Sequence, residues 1–397
     1  MIGTILLSLS LIIFIYLFFS SLYLFVFALA GRLIKGKIHE TMDQKKTIAV
    51  IIPSYKEDHI IVDTARQAFA HDYPSGFFSV FVVADKLQPT TIERLRQIPV
   101  RVIEVDVDMK SRSIHAALEA IDKSAFDMVV ILDADNVMKP GCLEKVNSAF
   151  QMGYRALQCH RIAKNENTPI ATLDAISEGI NINLFRRGPA RLKLSAAPLG
   201  SGMAFDIALI SEIFSVERIL NNPGEDREID MQLLKKNIFM EFVDDAWVLD
   251  EKVASTAVFE KQRVRWLEAQ FAHIRRFFDP DMRSLSKTTN FFNKFFQTLL
   301  LPRVLMMAVY GLVCLILLTG WIFGLRTLFP APSWWLTGML LYLLALVISV
   351  PFSHYNVRTV KAIAYIPILA LSMLKALVSM KKNRKEFLHT PKTFGSD

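Results

Sequence analysis

No side chain between Met1 and Gly31 carries a charge. An α-helix crosses a bilayer with ~20 apolar residues, so this run is long enough to span one. Its "ALA" at 28–30 resembles a leader-peptidase site. A cleaved leader, however, opens on basic residues and has a shorter apolar core. The first charges, Arg32, Lys35 and Lys37, follow the run and put the next segment in the cytoplasm by the positive-inside rule.

Residues 304–325 and 334–351 are two further candidate spans, the second opening on Trp334 and Trp335 at the level of an aromatic belt. Ahead of them, "RSLSKTTNFFNKFFQTLLLPR" is amphipathic and basic, as befits a segment lying in the membrane interface. The last apolar stretch, "AIAYIPILALSML", has only 13 residues between Lys361 and Lys375 and is broken by Pro367. It is short for a span, and crossing would put the basic tail "KKNRKEFLHTPK" outside. Three spans, an interfacial last segment and a cytoplasmic tail are therefore expected. Across 397 residues, 52% are hydrophobic, which fits two or three domains with one of them in lipid.

A net charge of +8 admits nucleic acid as a partner, but the basic residues cluster beside apolar segments. "GRLIKGK" and the tail fit anionic membrane lipids instead, so no nucleic acid is expected. Cys142, Cys159 and Cys314 form neither a CxxC pair nor an even framework, so no zinc or disulfide scaffold is suggested, which fits a reducing compartment.

Residues 40–280 alternate strand-like runs ("TIAVIIP", "SVFVVAD", "VRVIEVD", "DMVVILD") with helix-like segments such as "SRSIHAALEAIDK". Such alternation predicts an α/β domain with a parallel sheet, whose ligands bind at the carboxyl ends of the strands. Three of these strands end on Asp85, Asp106 and Asp133. In "VVILDADN", Asp133 and Asp135 stand two apart at a strand end and should share a face, able to approach one divalent cation or its phosphates. Turn chemistry alone would also favour acids there.

Neither GxGxxG nor GxxxxGK[ST] occurs, so dinucleotide and P-loop sites lose their main support. "DADNV" fits the DxDx[TV] pattern of haloacid-dehalogenase-type phosphatases, but those carry it on the first strand and here three βα units precede it. In "NNPGEDREIDMQLLKK", Glu225 and Asp226 fall at a helix start, where acids cap and where a carboxylate near a substrate can act as a general base. In "EKQRVRWLEAQ", Gln262, Arg265 and Trp266 lie at i, i+3 and i+4, on one helical face. They could pack against the core, yet an arginine suits a diphosphate and an aromatic face suits a sugar ring.

Taken in order, "IIPSYKED", Asp85, Lys110, "DAD", "GED" and "QRVRW" resemble the family 2 glycosyltransferases with membrane-bound catalytic domains, over about residues 45–270. Cellulose, chitin and hyaluronan synthases and ceramide glucosyltransferases carry this series. The resemblance implies an α/β GT-A fold flanked by transmembrane helices, and inverting transfer from a nucleotide-diphospho-sugar, a UDP-sugar before others. It implies that Pro53, Tyr55, Glu57 and Asp85 hold the base and ribose, with Lys110 and Asp133 also contacting the donor. Asp135 would ligate Mg²⁺ or Mn²⁺, and Asp226 would be the general base, with Glu225 beside it. Gln262, Arg265 and Trp266 would hold the diphosphate and the acceptor sugar, and "LGSGMAF" would lie beside the acceptor.

Gly224 stands where "TED" is common, and "VVADKLQP" lacks the fuller acidic cluster after the second strand; both leave the sugar open. The expected acceptor is a growing polysaccharide, because "QxxRW" is typical of chain-extending members; a lipid is the alternative. A catalytically dead scaffold is a third reading, against which the complete acidic motifs argue. The expected division is an N-terminal helix with its flank (1–39), a cytoplasmic catalytic domain (40–280) and an amphipathic segment (281–303). Two spans (304–352) and an interfacial segment with a basic tail (353–397) complete it.

Overall fold

The computed structural model describes residues 2–379 apart from 223, 286–287 and 325–327, so the expectation for the tail lies outside the described residues. Among the described residues eight strands form one sheet: β1 (Ile48–Tyr55), β2 (Phe78–Asp85), β3 (Arg101–Val105), β4 (Met128–Ile131), β5 (Val137–Met138), β6 (Ala156–Ala163), β7 (Met203–Asp206) and β8 (Met240–Asp250). Their spatial order is β3-β2-β1-β4-β7-β6-β8-β5. The first four in that order are mutually parallel, as the strand–helix alternation predicts. β1 is buried on both faces: Val50 and Ile52 pack with Ile61 and Leu95, while Ala49 and Ile51 pack with Ile114, Leu118 and Phe205. A strand covered on both sides needs a continuous apolar run, which "IAVII" supplies.

The other half of the sheet departs from the parallel reading. β7 runs antiparallel to both β4 and β6, and the short β5 is antiparallel to β8. β6 and β8 are parallel, but their register slips between Cys159 and His160, leaving residues 244–246 unpaired. Asp244 in that slip accepts from Arg187 at 2.9 and 2.7 Å and from Arg191 at 2.9 Å. Burial opposes its charge, yet hydrogen bonds from His160 and Arg187 hold the carboxyl well below the usual aspartate range. The sequence concealed this strand because its acids serve the slip rather than a polar face.

Among the described residues, three helices are long and apolar enough to cross a membrane: Leu7–Leu33, Arg303–Ile322 and Pro332–Ser349. A fourth candidate is a pair, Val357–Ile363 and Ile366–Lys375, bent by 46°. Leu17 and Leu24 of the first helix pack with Tyr310, Trp335, Tyr342 and Ala345. Asn183 ties this bundle to the α/β domain, donating to the Ala28 carbonyl at 3.2 Å and to Ser349 Oγ at 3.0 Å. Gly188 permits that approach, since a Cβ there would stand 2.5 Å from the Phe27 carbonyl oxygen.

Candidate active site

A cavity of about 530 Å³ opens at the carboxyl ends of β1 and β4 and continues to the head of the helix Arg303–Ile322. Pro53, Tyr55 and Glu57 line it from the end of β1 and the loop beyond. Asp133 and Asp135 enter it, but not as neighbours on a strand: β4 stops at Ile131, and 133–136 form a turn closed by Asn136 N–H on the Asp133 carbonyl at 3.0 Å. The turn sends the two side chains to different partners, so their shared position comes from chain reversal rather than from strand geometry. Asp133 pairs with Lys110 at 2.5 Å. Asp135 is buried and accepts from the Glu251 backbone N–H at 3.2 Å.

Lys110 opens the helix Lys110–Ala120 and gathers three chain segments. Besides Asp133, it reaches Glu225 at 3.1 Å and the Gly200 carbonyl at 2.6 Å. Burial opposes its ammonium, yet Asp133 and Glu225 hold its pKa well above the ordinary lysine value. Glu225 and Asp226 begin the helix Glu225–Lys235, and both line the cavity. Asp226 accepts from the Arg227 N–H at 2.9 Å. Gly200 adopts φ +80° against this group, where a Cβ would meet Lys110 Nζ at 3.7 Å and Asp226 Cβ at 3.9 Å. Both the left-handed backbone and the close approach favour glycine there.

Several residues that hold the site together carry no local sequence signal. Buried Gln158 donates to the carbonyls of Ser201 and Gly202 at 3.0 and 3.2 Å and accepts from Leu199 N–H at 2.8 Å, fixing the glycine loop. Ser201 Oγ accepts from the Asp133 N–H at 2.8 Å and donates to Asn136, whose amide reaches Asp250 at 3.0 Å. Asp250 also takes Lys252 at 2.6 Å, and Lys252 and Arg161 both pair with Glu178, at 2.9 and 2.7 Å. Breaking one member of such a buried network typically costs ~3–5 kcal/mol, because the remaining charge is left unpaired. Apart from Asp250 and Lys252, these partners lie 17 to 114 residues apart in the chain, so only spatial proximity reveals them.

Gln262 and Trp266 line the cavity from the helix Thr256–Ile274. The side chain of Arg265, on the same helix, lies outside the described residues. Its neighbour Arg263 is buried, pairs with Asp174 at 2.6 Å and stacks on Trp266 at 4.1 Å, so it positions the aromatic ring. Asp85 stands behind the cavity wall, at the buried end of β2 beside Tyr55. Burial pushes its carboxyl above the usual range, while Val107 N–H donates to it at 3.3 Å.

A doubly covered parallel sheet with a mixed extension, and a cavity over its strand ends, is the mixed α/β arrangement of GT-A glycosyltransferases. The model of the glycosyltransferase like family 2 matches residues 45–269, and the chain belongs to that family. Among solved structures, it resembles the mannosyltransferase PcManGT from Pyrobaculum calidifontis in complex with GDP-Man and Mn²⁺. That match has a TM-score of 0.57 and 13% identity, covering 94% of this chain and 98% of that one. S. aureus TarS 1–349 matches with a TM-score of 0.43 and 14% identity over 85% of this chain and 93% of the other. No curated protein matches the sequence significantly.

Proposed function

We propose that this protein is a membrane-embedded, inverting glycosyltransferase that moves a sugar from a nucleotide-diphospho-sugar to an acceptor arriving from the membrane side. One observation carries this reading: a single cavity joins Pro53, Tyr55, Asp133 and Asp135 to Asp226, and then to Leu300, Leu301 and Pro302 at the head of a membrane-length helix. The donor's nucleotide would occupy the first end. The acceptor would approach from the other, so that the two meet at Asp226.

Asp226 would take the acceptor hydroxyl's proton as the new oxygen–carbon bond forms and the bond to the diphosphate breaks. Lys110 and Arg265 would offset charge on the departing diphosphate, and Trp266 would offer a face to the sugar. The donor set around Asp135 consists of oxygens, with neither thiol nor imidazole among the residues lining the cavity, which fits a hard divalent cation. Asp135 would hold Mg²⁺ or Mn²⁺, as the complex of PcManGT with Mn²⁺ and GDP-Man supports by analogy. When bound, the metal supplies positive charge to the diphosphate.

A growing polysaccharide is the acceptor expected from "QxxRW". The membrane end of the cavity favours the alternative, a lipid acceptor, because Leu300, Leu301, Val304 and Met373 give it apolar walls. The catalytic domain, 40–280, would face the cytoplasm, with the bent pair at the interface. Purified protein in detergent, incubated with UDP- and GDP-sugars and its products sized, tests the reading. A ladder of lengths supports a synthase, one lipid-soluble product supports single transfer, and no transfer from any donor refutes both.

A further inference from the structure

The amphipathic helix Thr289–Leu299 touches both the first span and the active site. Tyr23 of the first span donates to Asn293 Oδ1 at 2.6 Å. Tyr16 donates to the Leu299 carbonyl and accepts from the Leu301 N–H, each at 2.9 Å. Beside Asn293, Lys294 turns inward: its side chain is 4% exposed and lines the cavity.

Lys294 pairs with Asp230 at 2.8 Å and donates to the Ala196 carbonyl at 2.8 Å. Asp230 lies four residues after Asp226 in the helix Glu225–Lys235, so the two carboxylates share a face, and both line the cavity. Arg186, from the π-helical turn Asn183–Arg187, takes the next two carbonyls, of Ala197 at 2.9 Å and Pro198 at 2.7 Å. Cations from two elements thus hold residues 196–198, which lead into the Gly200 turn beside Asp226. Burial pushes the Asp230 carboxyl above the usual range, against Lys294 and Arg186, and lowers the Lys294 ammonium against the pull of Asp230. Each charge therefore depends on the other.

We propose that Lys294 is a positioning residue for Asp226: by neutralising Asp230 one helical turn away, it spares the base a second negative charge and ties the base's helix to the membrane-bound part of the chain. The proposal rests on the reading of Asp226 as the base. Two like charges on one helical face disfavour each other's ionisation, and a nearby cation favours it. Among the described residues, Asp226 is also faced by Glu225 and Arg227 of its own helix, by Arg186, and by His273 of the helix Thr256–Ile274, with Lys110 beyond Glu225. All of these stay in place when the pair is changed, so a difference between variants isolates the pair.

The test uses the full chain in nanodiscs, as wild type, Lys294→Met, Asp230→Asn and the two substitutions together. One readout is the acidic limb of kcat/KM against pH. The other is labelling of the Asp226 peptide by a water-soluble carbodiimide and a tagged amine, which couple protonated carboxyls, quantified by mass spectrometry. Removing the cation in Lys294→Met should move both curves up by about one pH unit, whether or not Asp230 then takes up a proton. Removing the anion in Asp230→Asn should move both down by about as much, and the double variant should return to wild type. A packing role alone would damage transfer without this ordering by sign. Curves that stay in place in Asp230→Asn, or that move the same way in both single variants, overturn the proposal. Should Lys294→Met not fold, Asp230→Asn decides alone. Labelling reads out even if no sugar transfer is found. A displaced labelling curve with an unmoved kcat/KM limb would keep the coupling and remove Asp226 as the base, so the two proposals fail separately.

Discussion

Two groups of aspartates stand near the carboxyl ends of the parallel strands, and they keep different company. Asp85, Asp106 and Asp108 bring carboxylate oxygens within 4.8 Å of one another, but Lys86 already sits among them, 3.2 Å from Asp106 and 2.5 Å from Asp108. Asp106 is 78% exposed, so water screens it as well. The other group, Asp133, Asp135 and Asp250, lies wholly along the large cavity, which the first group reaches only through Asp108, and each member is tied to a separate segment by Lys110, the Glu251 N–H or Asn136. The proposed reading places the metal at the second group and not where the acids stand closest together. Low solvent exposure favours that choice, because it strengthens a carboxylate's interaction with an incoming cation.

That contrast can be broken most directly at Asp135. Asp135→Ala is expected to lower transfer about 10³-fold, the scale for losing one preorganised electrostatic group, with no rescue by added Mg²⁺ or Mn²⁺. EDTA should abolish wild-type activity reversibly. Titration of Mn²⁺ by electron paramagnetic resonance gives an independent readout: the variant should lose the site that wild type fills. Retained Mn²⁺ binding would move the metal elsewhere.

Next in size is Asp226. Asp226→Asn is nearly isosteric but cannot accept a proton, so turnover should fall about 10²-fold while donor binding survives. Near-normal turnover in a product assay would remove Asp226 from its proposed role.

How much of this contrast was legible in the sequence depends on distance along the chain. Asp133, Asp135, Glu225, Asp226, Gln262 and Trp266 belong to short motifs at a strand end, a helix start and a helix face, and all of them line the cavity. Local periodicity suffices to put such residues at the mouth of a sheet. Gln158, Ser201, Asn136 and Asp250 were not legible, because each is defined by a partner far away in sequence. Two strands were hidden for a related reason: "ALQCHRIA" and "MEFVDDAWVLD" spend polar residues on buried ion pairs and so lose the apolar run that marks a strand. At 133–136 the sequence left strand end and turn both open, since an acidic strand end and an acidic turn read alike, and the structure forms the turn.

Arg265, proposed to meet the departing diphosphate, tests the contrast with a cation. A guanidinium can pair with two phosphate oxygens at once, which an ammonium cannot match. Arg265→Lys should lower kcat about tenfold with the protein still folded in membranes. If the side chain only packs, lysine will be tolerated at wild-type rates.

The smallest effect belongs to the other acidic group. Asp106→Asn should leave transfer within about twofold of wild type, since an exposed ion pair contributes little. Mn²⁺ binding should not change. The one measurable consequence is a pH dependence carried by Lys86, whose pKa is raised above the ordinary lysine value by its hydrogen bond to Asp108 first and to Asp106 second. A raised lysine stabilises the fold below its unfolded pKa of ~10.4, and that contribution disappears as pH rises through the folded value. The small difference in unfolding temperature between wild type and Asp106→Asn should therefore be constant from neutral pH up to about 10 and vanish in more alkaline solution. Because Asp108 remains in place at 2.5 Å, the variant keeps the larger share of the effect. Loss of transfer or of Mn²⁺ binding in Asp106→Asn would reverse the assignment of the two groups and make the exposed one the metal site.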